Sequence, residues 1–409
     1  MTMLDVAARP VVVNRRIAPG KPRLTKVERR VGLAWYLLLL NALTFYNGMS
    51  VLHIPGPVGK LITQGSLLVA FCVALSANRK LLVRPNVFLT LVILLALGTI
   101  ITCLVPQHFG TVYRTFRLVL YICTLWLLTP WWGRSDLLLV RFHLKGLSFV
   151  LITVFIGILV APSYALGAGR LTGIIWPVPP PEVAHYSAMV FGMVAVLWMC
   201  GQVRGKPAAC VCGFAAVLLL LTHTRTALLG LVVALIVAGL SLIVARPRVR
   251  RLFTVTGTIA AVTLLTLSSV VTSWLSRGQN SGQLTELTGR TVVWGQLLGA
   301  PRTKFQEIFG FGLSNNSFNG LPIDSNWLAS YQSQGLFGVT MCALLLLFLL
   351  VTSFFQERGV ERALALFLTS YCLVASFTEV GFTDVSPYLL EITLAASLIV
   401  STRQSKGQE

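Results

Sequence analysis

The sequence predicts an all-α polytopic membrane protein, with about 12 transmembrane helices and one large extracytoplasmic loop that contains short helices. Three observations indicate this class. Of the 409 residues, 55% are hydrophobic and only 11% are charged, whereas soluble domains carry about a quarter charged residues. The mean hydropathy is +0.79. The apolar residues also form runs that are long enough to cross about 30 Å of hydrocarbon.

Twelve apolar runs provide the predicted helices, and turn-forming prolines and glycines separate several of them. Two of the runs, 207–222 and 362–378, are short for a membrane helix. We predict helices at roughly 31–52, 58–77, 85–105, 111–130, 146–163, 184–201, 207–222, 226–245, 253–271, 335–355, 362–378 and 385–402.

The distribution of basic residues predicts the orientation of these helices. The net charge of +20 could indicate a nucleic-acid-binding protein, but 24 of the 33 Lys and Arg residues fall in the two ends and in alternate loops. Because such residues mark cytoplasmic loops, both termini are predicted to be cytoplasmic, and nucleic acid is not an expected partner. The predicted parts are a basic cytoplasmic tail (1–30), nine helices (31–271), an extracytoplasmic loop (272–334), three helices (335–402) and a short cytoplasmic tail (403–409).

The loop at 272–334 is the one long polar segment after the N-terminal tail, and we expect it to hold most of the carboxylates on its side of the membrane. Asp324 is the carboxylate best placed to lie near the membrane face. Apolar neighbours there would raise its pKa and let it accept a hydroxyl proton. The alternative is that Asp324 caps a helix at 325–334.

Arg225 lies in a short outer turn between two apolar runs. An arginine so close to hydrocarbon is costly unless it is paired or hydrated, which makes it a functional candidate. The alternative is that its side chain reaches lipid headgroup phosphates. The neighbouring threonine hydroxyl groups and the imidazole of His223 favour a polar pocket.

Arg114 and Arg117 are spaced i, i+3 and therefore share one helix face. Two like charges there favour an anion between them, and a diphosphate suits paired guanidinium groups. Interfacial anchoring is the alternative. Arg170 precedes a proline-rich turn, and His185, which follows that turn, is expected to be a hydrogen-bonding residue at a helix end.

Lys60 and Glu391 fall inside predicted helices and could pair with each other or face the interior. The eight cysteines lie almost entirely in apolar runs, and we assign them no disulfide. The sequence contains no cysteine and histidine spacing typical of a metal site, no phosphate-binding glycine loop and no DxD carboxylate pair. We therefore predict no metal and no cofactor.

Several of these residues occur in an order that resembles the O-antigen ligase/O-antigen polymerase superfamily, which are bacterial polytopic glycosyltransferases of the metal-independent C type. The resemblance covers about residues 165–340. It consists of Arg170 before the proline-rich turn, THTRTALL at 222–229, TGRTVVW at 288–294, GFG at 310–312, and DSNWL followed by GLFG within 324–338.

The resemblance implies an inverting, metal-independent transfer of a glycan from polyprenyl diphosphate to an acceptor sugar hydroxyl, at the outer face of the bacterial cytoplasmic membrane. It implies that Arg225, Arg290 and Arg170 hold the diphosphate. Ligases of this family commonly carry His-Asn where this chain has Asp324 and Ser325, which favours a polymerase or a transferase with a different acceptor.

The predicted site combines both lines of reasoning. Its catalytic residues are Asp324, Arg225 and Arg290. Residues predicted to bind the diphosphate or the glycan are Arg170, Arg114, Arg117, His223, Trp294 and Trp327. The expected partners are a polyprenyl-diphosphate-linked glycan donor, a glycan or glycolipid acceptor, and membrane lipids.

Two other functions stay open. A secondary transporter or flippase for an anionic or lipid-linked solute would use Arg114, Arg117 and Arg225 as its path. If the protein is a scaffold for a polysaccharide assembly complex, Arg225→Ala is expected to have no effect. The long outer loop, rich in Trp, Asn and Gln, favours the transferase, because aromatic and amide side chains suit sugars.

Overall fold

The computed structural model describes residues 24–43, 51, 54–104, 109–167, 169–243, 246–266, 290–314 and 316–400, except for the side chains of 259–265. Most of the predicted N-terminal tail, the C-terminal tail and the first part of the predicted loop, 272–289, lie outside the described residues.

Most of the described residues are helical. The α-helices are α1 (Lys26–Ala42), α2 (Gly56–Ala77), α3 (Val87–Thr102), α4 (Phe109–Leu128), α5 (Leu138–Val160), α6 (Pro162–Ala165), α7 (Pro180–Met199), α8 (Gly205–Leu221), α9 (Arg225–Ile243), α10 (Pro247–Thr266), α11 (Arg290–Gly299), α12 (Lys304–Phe309), α13 (Asn326–Phe355), α14 (Val360–Ala375) and α15 (Pro387–Ile399). A 3-10 turn (Thr129–Trp131) continues α4, and one small hairpin joins β1 (Ser317–Phe318) to β2 (Leu321–Pro322).

This architecture confirms the prediction of an all-α fold and is consistent with a helical membrane protein. Among the described residues, six helices are long and apolar enough to cross a membrane: α2, α4 with its 3-10 turn, α5, α7, α9 and α13. Three further apolar helices, α3, α8 and α15, are shorter. Each of the twelve predicted runs overlaps at least one helix, while the number of helices that cross a membrane stays a prediction.

Helix boundaries differ from the predicted ones where polar residues start a helix. The first helix begins at Lys26, inside the predicted tail, because Thr25 and Glu28 form a reciprocal capping box. The fifth helix begins at Leu138 and includes Arg141 and Lys145, which a count of apolar residues alone had placed in a loop.

A break at Gly335 divides α13 near the predicted end of the loop. Gly335 has φ +63° and ψ −160°, and a Cβ atom there would lie 2.4 Å from the Ile308 backbone, so only glycine fits. The carbonyl groups of Gln332 and Ser333, next to the break, accept hydrogen bonds from the backbone N–H groups of Phe311 and Gly312. The GFG turn is thereby joined to the broken helix.

The last two helices are short and lie in the middle of the bundle. Every residue of α15 from Pro387 to Leu398 is buried, and α14 packs against α9, α15, α13 and α7. With 16 and 13 residues, α14 and α15 are about 24 Å and 20 Å long at 1.5 Å per residue. The loop that joins them, 376–386, carries part of the site described next.

Candidate active site

The loop 376–386 is fixed to the start of α13 by hydrogen bonds. The backbone N–H of Asn326 donates to the carbonyl oxygen of Ser376 at 3.0 Å. The side-chain oxygen of Asn326 accepts from the backbone N–H groups of Gly381 (3.3 Å) and Phe382 (3.0 Å). Because Asn326 is fully buried, these bonds hold the residues just before α13 against this loop.

Arg290 and Asp324 form an ion pair at this junction. The Nε atom of Arg290, the first residue of α11, lies 3.0 Å from Oδ2 of Asp324, and both side chains are about a third exposed. The residue at the N-cap of α13 is Ser325, so the alternative in which Asp324 caps this helix is wrong by one residue. The hairpin turn at Asn319 and Gly320, both with positive φ, leads the chain to Asp324.

Arg170 lies against the turn between α8 and α9. Its Nε atom donates to the carbonyl oxygen of Thr222 (3.0 Å), and its Nη2 atom donates to Oγ1 of Thr224 (3.1 Å). Arg225 follows this turn directly as the first residue of α9. Burial lowers the pKa of the Arg170 guanidinium, while the negative charge of Glu379 opposes that shift.

Glu379 is a carboxylate that interacts electrostatically with both Arg170 and Arg290. It lies in the loop 376–386 and is partly exposed, and its side chain forms no hydrogen bond or ion pair with another described residue. Burial raises the pKa of its carboxyl to about 7; the positive charges of His185 and Arg290 oppose the rise, and the negative charges of Asp324 and Glu182 add to it. A carboxyl with this pKa is suited to exchange protons near neutral pH.

Asp324 lies beside Arg290, and its carboxylate orients the Arg290 guanidinium. Its role as the base stays a prediction. The expectation that the loop 272–334 holds most of the carboxylates on this side is wrong, because Glu182, Glu379 and Asp384 lie in other segments on the same side of the described bundle.

Arg114 and Arg117 contact the far end of the loop 376–386. An Nη1 atom of Arg114 lies 3.2 Å from Oδ2 of Asp384. Arg117 donates to the side chain and the carbonyl oxygen of Asn41, and to the carbonyl oxygen of Val385. The anion that faces Arg114 in the structure is thus a protein carboxylate.

The three remaining predicted residues lie around the same region. His223 occupies the α8–α9 turn with φ +52°, a conformation that histidine adopts more often than most residues. Trp294 follows Arg290 by one turn of α11, and the Trp327 ring lies 6.2 Å from that of Phe377. The indole nitrogens of both tryptophans are buried and have no hydrogen-bond partner among the described residues.

The two predicted intramembrane ions do not pair. Lys60 is exposed on α2, whereas Glu391 is fully buried and its Oε1 atom lies 2.8 Å from Nε2 of His185. The pairing of Lys60 with Glu391 is therefore wrong, and Glu391 faces the bundle interior instead. His185 does lie near a helix end, as expected, but its partner is an ionisable side chain.

Glu379 was not predicted, because the residues between the last two apolar runs were interpreted as a simple turn. The sequence nevertheless contains a signal for a site in this segment. The chain has only 13 acidic residues, and two of them, Glu379 and Asp384, stand in one short polar segment, TEVGFTD, between apolar runs. Such a concentration in a chain this poor in carboxylates indicates a site.

No family model matches this chain, and no curated protein matches it either.

Proposed function

We propose that this protein is a membrane glycosyltransferase. It moves a glycan from polyprenyl diphosphate to an acceptor sugar hydroxyl at the outer face of the bacterial cytoplasmic membrane, as a polysaccharide polymerase or an O-antigen ligase, with the polymerase slightly favoured. The observation that carries the proposal is that two arginines interact electrostatically with Glu379: Arg170, which is hydrogen-bonded to the turn just before Arg225, and Arg290, which pairs with Asp324. The resemblance in residues 165–340 supports the same reaction.

The charges suit the two requirements of this transfer. A diphosphate is a good leaving group if its developing negative charge is neutralised, and preorganised guanidinium groups supply that neutralisation without reorganisation. The acceptor hydroxyl must lose its proton as it attacks the anomeric carbon, and Glu379 is the carboxyl that can take it. When Glu379 is the base, the role of Asp324 is to orient the Arg290 guanidinium.

The proposed step is a single displacement. The acceptor oxygen forms a bond to the anomeric carbon from the face opposite the diphosphate, and the bond from that carbon to the diphosphate oxygen breaks with its electron pair going to the phosphate. The acceptor proton moves to Glu379. The configuration at the anomeric carbon is inverted, and polyprenyl diphosphate leaves between the arginines.

The depth of the site supports this chemistry. In the twelve-helix arrangement, with both termini cytoplasmic, α14 starts and α15 ends at the inner face. Since these helices are only about 24 Å and 20 Å long, the loop 376–386 lies below the outer surface of a hydrocarbon layer about 30 Å thick. Electrostatic interactions are stronger in such a water-poor recess.

The test uses purified protein in nanodiscs with a polyprenyl-diphosphate oligosaccharide and a chelator. We expect release of polyprenyl diphosphate, lost in Arg170→Ala, Arg225→Ala and Arg290→Ala but retained in Lys304→Ala, an exposed cation of the same outer region. The rate should rise with pH through about 7, because Glu379 acts in its ionised form. A ladder of longer glycans would identify a polymerase. Donor binding without release, for all donors tested, would overturn the proposal.

A secondary transporter or flippase is the second candidate. It is favoured by the fully buried carboxylate of Glu391 beside two histidines, since ionisable groups inside a membrane bundle often belong to transport pathways. Movement of a lipid-linked or anionic solute across proteoliposomes, without cleavage of the diphosphate bond, would support this function.

A further inference from the structure

A groove between α2 and α3 runs along the surface of α4. Both helices pack on α4, but they hardly touch each other. The groove has a volume of about 470 Å³, a size typical of sites for small molecules. Apart from one thiol and one indole nitrogen, its lining is apolar, and it includes Phe71 and Leu75 on α2, Ile93 and Leu97 on α3, and Val119 and Leu127 on α4.

The length of the groove suits one lipid acyl chain. From Val119 to Leu127 the groove follows α4 for about 12 Å, at a rise of 1.5 Å per residue. One leaflet contributes about half of a hydrocarbon layer about 30 Å thick, so a chain that extends through its own leaflet matches this length. Leu97 and Cys123, which also line the groove, are exposed, so a lipid can enter it from the side.

The loop between α2 and α3 is held against the end of α4 at which the groove ends. The buried side chain of Asn78 donates from Nδ2 to the carbonyl oxygen of Leu127 at 3.0 Å. The backbone N–H of Arg84 donates to Oγ1 of Thr129 at 3.0 Å. Because both bonds join this loop to the last residues of α4 and its 3-10 turn, the residues between them lie at the mouth of the groove.

This loop supplies positive charges that no carboxylate balances. Arg79, Lys80 and Arg84 are exposed, and none of them takes part in an ion pair with another described residue. The sequence contains no acidic residue between Glu28 and Asp136. Guanidinium groups bind phosphate oxygens in pairs, and basic residues beside a membrane attract anionic lipids. The mouth of the groove is therefore suited to a lipid phosphate.

We propose that this groove binds one anionic phospholipid, with an acyl chain between α2 and α3 and the headgroup phosphate at Arg79, Lys80 and Arg84. In the predicted orientation the loop is cytoplasmic, so the lipid belongs to the inner leaflet. The proposal is independent of the proposed function, because these cations lie at the opposite end of α4 from Arg114, which contacts the loop 376–386. The same separation favours a phospholipid over the glycan donor, whose diphosphate is proposed to bind at the outer face.

Recognition of the headgroup is tested by native mass spectrometry of the full-length protein, released from detergent with phosphatidylglycerol or with phosphatidylcholine of the same acyl chains. We expect one phosphatidylglycerol molecule to stay bound and phosphatidylcholine to bind more weakly. The triple variant Arg79→Gln/Lys80→Gln/Arg84→Gln should weaken the binding of phosphatidylglycerol by about tenfold or more. Equal binding of the two lipids would overturn the proposal.

A second triple variant separates a site from general attraction between a basic protein and an anionic lipid. Arg248→Gln/Arg250→Gln/Arg251→Gln removes three exposed arginines from α10, and therefore the same amount of charge. We expect it to bind phosphatidylglycerol like the wild-type protein. Because all the substituted side chains are exposed, both triple variants should fold. An equal loss of binding in the two variants would refute a site at the groove.

Occupation of the groove by the acyl chain is tested with Trp126, which lines it. The difference between the emission spectra of wild type and Trp126→Phe isolates the fluorescence of this indole. We expect brominated phosphatidylglycerol to quench it more strongly than brominated phosphatidylcholine at the same mole fraction, and the excess to disappear in the variant of Arg79, Lys80 and Arg84. Equal quenching would indicate ordinary contact with bulk lipid. Recovery of the emission with equimolar polyprenyl phosphate would assign the groove to an isoprenoid chain. Either result would overturn the proposal.

Discussion

The loop between α14 and α15 carries two carboxylates, Glu379 and Asp384. Asp384 has a fixed ion-pair partner, and Glu379 does not. Asp384 is almost buried, lies 3.2 Å from Arg114, and accepts a hydrogen bond from the backbone N–H of Val385. Glu379 has no such fixed partner among the described residues, and burial raises the pKa of its carboxyl to about 7. A carboxylate that is paired stabilises the loop around it, whereas an unpaired carboxylate near cations is suited to exchange protons.

The variant with the largest expected effect is Glu379→Gln, which keeps the shape of the side chain but removes the base. We expect glycan transfer to fall by about 10²–10⁴-fold, the usual contribution of a general base, with no decrease in melting temperature. The measurement is polyprenyl diphosphate release. Glu307→Gln, an exposed acid on α12, is the matched control. Full activity of Glu379→Gln would show that another group takes the proton.

The second test separates Arg290 from its partner. Arg290→Ala removes a guanidinium proposed to neutralise the leaving group, and we expect a loss of about 10²-fold or more in rate. Asp324→Asn keeps a hydrogen-bonding partner for Arg290, so its loss should be smaller. A larger loss for Asp324→Asn than for Glu379→Gln would return the role of base to Asp324.

The third test concerns the anchoring end of the loop. Asp384→Asn leaves Arg114, whose side chain is 26% exposed, without its carboxylate, and we expect a loss of about 1–3 kcal/mol in the free energy of unfolding. Thermal unfolding in detergent measures this loss. The double variant Arg114→Gln/Asp384→Asn should recover part of it, because no uncompensated charge is left. A thermally silent Asp384→Asn would contradict the anchoring role.

The smallest expected effect is a pH dependence of stability. The pKa of Glu379 is raised from its ordinary 4.5 to about 7, so the folded state favours the protonated carboxyl. Its contribution to stability is then complete below about pH 4.5 and is lost as the pH rises through about 7. Wild type should lose stability across this window relative to Glu379→Gln. Parallel melting curves for the two proteins would contradict the raised pKa.

Much of the local structure could be predicted from the sequence, because local patterns determine it. Apolar runs predicted helices at all twelve places, since a helix in lipid must be apolar over most of its length. Two further local signals in the sequence indicate structure: the Thr25–Glu28 capping box, which starts α1, and the Asn319-Gly320 pair, which forms the turn of the hairpin. Both act within a few residues, so they can be recognised without knowledge of the fold.

The helical class followed from the apolar runs alone, and so did the presence of arginines and an aspartate in the segments predicted to be extracytoplasmic. The partners of these side chains could be seen only in the folded protein. Arg114 meets Asp384 across 270 residues of chain, and Glu391 on α15 meets His185 on α7, a helix far from α15 in the sequence. The physical reason is that helix formation depends on neighbours along the chain, whereas the charge state and role of a carboxylate depend on groups that packing brings within a few ångströms.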